Sequence, residues 1–159
     1  MLTKIEKEIQ EQIIKSMQIW KKQRLEKILV GLRQKGILIS EENIPEIIKQ
    51  TNFDFRSKEY PYECSYYTKD SPPSPCIKGA TNHNCLLCAC PNYDSSYTDE
   101  GLTGKCNVNS NSGHYHKSKE FPNISVWDCS ACNHPHLLLT THIYLSNNLK
   151  LLRKLQDKL

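Results

Sequence analysis

Two Cys-x2-Cys turns, Cys85-Leu86-Leu87-Cys88 and Cys129-Ser130-Ala131-Cys132, carry the residue types and spacing that can do chemistry. The tight loop inside each turn points both sulfurs inward, and two such turns complete a tetrahedron of thiolates around one metal ion. The 40 residues between them exceed ordinary finger spacing, so the loop joining them is an elaborated one. Only Ala89 separates Cys88 from Cys90. On an extended chain, residues two apart share a face at a separation of roughly 6 to 7 Å, which suits neighbouring ions better than a single one. Cys90 is therefore grouped with Cys76, Cys106 and one imidazole in a second site, with His136 as the first choice of imidazole and His134 as its rival. The expected cofactor is one or two Zn2+ ions held structurally. The alternative is an iron-sulfur cluster on the thiolates of residues 85–90 with Cys129 or Cys132. No catalytic residue is assigned: sulfur-rich coordination closes the open water position that a hydrolytic zinc needs, and no strand-turn-helix unit surrounds either turn for thioredoxin-like use.

The stretch Asn84-Cys85-Leu86-Leu87-Cys88-Ala89-Cys90-Pro91-Asn92-Tyr93, with Gly104-Lys105-Cys106, Trp127-Asp128-Cys129-Ser130-Ala131-Cys132 and Pro135-His136, resembles the cysteine-rich small domain family. That family is described as one of metal-binding domains. The resemblance covers about Cys76 to His142 and implies Cys76, Cys85, Cys88, Cys90, Cys106, Cys129, Cys132 and His136 as ligands. Members of the family occur alone or fused to enzymes of cobamide biosynthesis. This chain has no lysine-bearing pyridoxal-phosphate domain, so no activity carries over and the cobamide link is an association only. It also departs from the family by an insertion around residues 107–121 and by its helical arms.

The remaining histidines and Cys64 read more plainly. Cys64 reads as a packed thiol, His83 as a polar loop residue beside the first knuckle, and His114 and His116 as part of a solvated insertion.

The elements that must position these residues are helical at the chain ends. Leu2, Ile5, Ile9, Ile13, Met17 and Trp20 fall at helical spacing, and Leu25, Ile28, Leu29 and Leu32 continue the stripe, so residues 2–35 read as one helix ending near Gly36. Asn43 is the favoured N-cap of a short helix to about Gln50, with Pro45 in its first turn. Residues 51–75 read as an irregular connector, because the run Ser71-Pro72-Pro73-Ser74-Pro75 continues neither helix nor central strand. Pro135 fits the first turn of a C-terminal helix broken or capped at Ser146 and lined at its end by Leu149, Leu152, Leu155 and Leu159.

Residues 60–137 lack periodic aliphatic runs, so an ion must order them and folding depends on it. The fold expected is a small metal-stabilised domain, mostly irregular with short strands or knuckles, flanked by N- and C-terminal α-helices. Its parts are a helical arm (1–59), a cysteine-rich metal-binding domain (60–142) and an amphipathic helix (143–159).

The net charge of +4 resides at the ends, and the cysteine-rich centre is acidic and becomes more so as thiolates form, which argues against a nucleic-acid surface. A nucleic-acid-binding zinc protein is kept only as an alternative. No signal peptide opens the sequence, and no stretch is long and apolar enough to span a membrane. The reading is a zinc-binding accessory or interaction protein in the cytoplasm. Its partner is another protein, or a second copy met through the N-terminal helix.

Overall fold

The computed structural model describes residues 1–159. The chain forms helices α1 (Lys4–Gln34), α2 (Ile44–Thr51), α3 (Phe53–Glu59) and α4 (Leu138–Lys158), and strands β1 (Tyr93–Tyr97), β2 (Leu102–Cys106), β3 (His114–Lys117) and β4 (Ser125–Asp128). Two units divide these elements: residues 1–23 with 89–132, and residues 24–88 with 133–159. No helix is long and apolar enough to cross a membrane.

In the helical unit, residues 24–88 and 133–159, the core is apolar. Ile28, Leu29 and Leu32 of α1 pack with Ile47 of α2, Leu145 and Leu152 of α4, and Leu86 and Leu87 from inside the first Cys-x2-Cys turn. This overturns the expectation of a mostly irregular, metal-stabilised knuckle domain; the chain is a helix-plus-sheet fold. The aliphatic residues missing from the cysteine-rich stretch arrive from helices distant in sequence. Gln156, with no exposed surface, fastens α4 to this core. Its Oε1 accepts from Ile39 N at 2.9 Å, and its Nε2 donates to Ile37 O at 3.0 Å and Leu29 O at 3.3 Å.

The helix boundaries follow local chemistry. Asn43 precedes α2 with Pro45 in the first turn, but its side chain makes no capping bond; Nδ2 donates instead to Leu38 O at 2.8 Å. Helix α3 falls where an irregular connector was expected, started by Asn52, whose Oδ1 accepts from Asp54 N at 2.9 Å. Pro135 lies in a 3-10 turn, His134–His136, just ahead of α4. Helix α4 passes through Ser146 unbroken, and that hydroxyl bonds back to His142 O at 2.9 Å within the helix.

In the sheet unit, residues 1–23 and 89–132, the strand order is β1-β2-β4-β3, with β2 and β4 parallel and the other pairs antiparallel. A capping box opens α1: Thr3 N donates to Glu6 Oε2 at 2.8 Å, and Glu6 N donates to Thr3 Oγ1 at 3.2 Å. The face of α1 turned inward here is Glu6, Gln10 and Ile14, not the stripe of Ile5 and Trp20, which are exposed. Three polar contacts hold it: Gln10 Nε2 donates to Thr103 Oγ1 at 2.9 Å and to Leu102 O at 3.4 Å, and Asn123 Nδ2 donates to Glu6 Oε1 at 2.9 Å. Gly101 is required at the turn before β2, since it has φ +94° and an added Cβ would lie 1.9 Å from Asn123 O.

Candidate metal centre

All eight cysteines are free thiols. The ligand atoms of Cys76, His83 and His136 lie within 4.8 Å of one another in the helical unit, a set able to hold a metal ion. Backbone pairing puts them there. Residues 83–85 are held on one side by α2 and α3, through Phe53 N to His83 O at 2.8 Å and Cys85 N to Thr51 O at 2.8 Å. On the other side Asn84 N donates to His136 O at 3.0 Å. The Asn84 side chain is wholly buried: its Nδ2 donates to Ile48 O and its Oδ1 accepts from Leu86 N, both at 2.9 Å, which sets the entry to the Cys85–Cys88 turn.

His136 is arranged as a ligand is. His136 Nδ1 lies 2.9 Å from Asn84 O. A carbonyl only accepts, so Nδ1 carries the proton and Nε2 keeps its lone pair, the usual pattern for a metal-binding histidine. His83 stacks on His136 with centroids 4.0 Å apart, and its Nε2 is 3.5 Å from Cys76 Sγ. Its Nδ1 is buried with no hydrogen-bond partner. Burial, then the neighbouring His136, lowers the His83 pKa to about 4; burial lowers that of His136 as well. Both rings are therefore neutral at pH 7, the state in which imidazole binds metals.

Further thiols adjoin this group. Burial raises the Cys76 pKa, with Cys64 adding to the shift. Burial pushes Cys85 up to about 12, with Cys88 and Cys76 adding to it and the Tyr67 hydroxyl opposing it. Cys88 is raised by burial and by Cys76 and Cys64, against the pull of Arg24. Arg24 is buried and shares Glu63 with the buried Arg56, so two guanidiniums face one carboxylate. Arg24 Nε and Nη2 have no hydrogen-bond partner. The donors thus combine soft sulfur and borderline nitrogen with surplus positive charge beside Cys88, a fit for soft or borderline metal ions and not for hard, oxygen-loving ones.

Among the residues assigned from sequence, Cys76, Cys85, Cys88 and His136 lie in the helical unit, and Cys90, Cys106, Cys129 and Cys132 in the sheet unit. His134 is exposed, whereas His136 is buried. Cys64 packs on the Phe53, Tyr67 and Cys85 cluster. His114 and His116 are exposed on β3. Sequence reasoning gave His83 no ligand role; its place two residues from Cys85 was the available signal.

Comparison with family models, curated proteins and solved structures finds no match to this chain. The resemblance to the cysteine-rich small domain family therefore rests on the motif residues alone.

Proposed function

We propose that this chain is a structural metal-binding module whose helical unit holds a zinc ion on Cys76, His83 and His136, with the fourth donor taken from the Cys85–Cys88 turn. The convergence of the three ligand atoms within 4.8 Å carries the reading. The hydrogen bond that frees His136 Nε2 and the thiols beside Cys76 support it. Such an ion would tie the loop at residues 76–88 to the turn before α4, joining segments that the chain separates by more than 45 residues. Metal held this way supplies cohesion, and a filled shell of protein ligands leaves no place for a reacting water. The accessory or interaction role, with a protein partner, is part of the same proposal.

Elemental analysis of purified protein for zinc and iron, paired with an acid-labile sulfide assay, tests it. Zinc without sulfide is the expected result, and His83→Phe should lower the zinc content. Iron with stoichiometric sulfide, or metal content indifferent to His83→Phe, would refute the assignment.

A further inference from the structure

Cys90, Cys106, Cys129 and Cys132, the thiols of the sheet unit, take no part in the centre above, and strand register gathers them. Cys106 ends β2 and pairs with Tyr93, which begins β1. A turn in which Tyr93 N donates to Cys90 O at 3.2 Å brings Cys90 to that same end. Strands β2 and β4 are parallel, with Leu102 opposite Ser125 and Thr103 opposite Val126. Carried forward, this register sets Cys106 level with Cys129, the residue after β4. A second turn, Cys132 N to Cys129 O at 2.9 Å, folds Cys132 back toward Cys129.

Ser110 then links the strands' sulfurs. Its N–H donates to Cys106 Sγ at 3.4 Å, and its hydroxyl oxygen lies 3.5 Å from Cys132 Sγ. Tyr93, whose hydroxyl donates to Trp127 O at 3.2 Å, covers the same end of the sheet.

We infer that Cys90, Cys106, Cys129 and Cys132 form a second, all-thiolate site at one end of the sheet for a divalent ion of zinc's softness. Thiols brought to one place are converted to thiolates when a divalent cation sits among them. Backbone N–H groups aimed at sulfur, as Ser110 N is at Cys106, stabilise the charged form that the ion needs. The grouping joins Cys129 and Cys132 to Cys90 and Cys106 rather than to Cys85 and Cys88. It does not depend on the Cys76 centre, since no residue is shared.

The test uses the full chain loaded with zinc and no destabilising substitution at a cysteine. Zinc per chain is measured, the metal is withdrawn stepwise with a chelator, and each step is trapped by iodoacetamide and mapped by peptide mass spectrometry. Two zinc ions per chain are expected, with Cys90, Cys106, Cys129 and Cys132 becoming alkylated as one set. The His83→Phe chain should hold half the zinc and keep that set protected. This outcome supports the site whether or not the wild-type helical unit binds zinc as proposed, because protection of the four thiols is read separately. Release of Cys129 and Cys132 together with Cys85 and Cys88, or alkylation of Cys90 and Cys106 in the zinc-loaded chain, would overturn it.

Discussion

Replacing His83 by phenylalanine should erase the zinc-dependent part of the stability of the helical unit while sparing its fold. The ring is only 3% exposed and stacks on His136, so phenylalanine keeps the stacked plane and deletes the donor nitrogen. It also removes the buried Nδ1 that has no partner, and exchanging unsatisfied polar atoms for apolar ones of the same shape is close to neutral. With free zinc buffered at about 100 times Kd, binding adds about 2.7 kcal/mol to unfolding. A unit of about 90 residues shifts its melting temperature by roughly 4–8 °C per kcal/mol. The wild-type chain should therefore melt roughly 10–20 °C higher in the zinc buffer than in EDTA. The helical transition of the variant should fall at one temperature in both, matching or slightly exceeding that of wild type in EDTA, because any zinc it retains sits in the sheet unit. Circular dichroism reads this well, because α2, α3, α4 and the last part of α1 belong to the unit. Trp20 and Trp127 both lie in the other unit, so tryptophan fluorescence should respond to His83→Phe far less. A full zinc shift retained by His83→Phe, or a wild-type chain indifferent to EDTA, would refute the reasoning.

Acid should weaken the metal-free helical unit through the same residue. The folded pKa of His83, about 4, lies below its ordinary value of 6.5, so its contribution is complete above pH 6.5 and is lost as pH falls toward 4. Urea midpoints in EDTA should therefore decline less steeply over that window in His83→Phe than in wild type. Arg24→Met should weaken zinc binding near pH 7 and by less near pH 9, because Arg24 is the group that eases ionisation of Cys88; competition with a chromophoric chelator measures this. Equal losses at both pH values would assign Arg24 to packing alone. Gln156→Ala should cost about 2–4 kcal/mol in urea denaturation, since it strands Ile39 N–H and the Ile37 carbonyl in the core and opens a cavity. Gly101→Ala should disrupt the sheet unit, seen as altered tryptophan emission, while leaving most helical signal intact.

Much of the helical part could be read from sequence, and little of the sheet. Ile28, Leu29 and Leu32 recur at helical spacing and are buried, and Pro45 with Asn43 marked the start of α2. Strands β1 and β3, Tyr93-Asp94-Ser95-Ser96-Tyr97 and His114-Tyr115-His116-Lys117, lack the aliphatic alternation that betrays a half-buried strand. Polar residues on α1 did the packing that aliphatic ones were expected to do, and Gln10 and Glu6 resemble surface residues until Thr103 and Asn123 are placed beside them. That a group of cysteine and histidine able to hold a metal exists was legible, because these residues have few other reasons to crowd together. Partners were not, because a Cys-x2-Cys spacing says which two sulfurs are near and nothing of which distant strand arrives next to them. His83 was overlooked for that reason: its nearness to Cys76 and His136 is a product of the pairing of Asn84 with residues 52 and 136.

The aliphatic cluster of Ile28, Leu29, Leu32, Ile47, Leu145 and Leu152 has a consequence for how such a chain can evolve. Its contacts need no ion, so the helices and the metal ligands answer to separate selective pressures. If Cys76 and His83 hold a metal as proposed, a lineage deprived of it could shed either and keep its scaffold. Descendants would then share an architecture while showing none of the cysteines by which their ancestry might be sought.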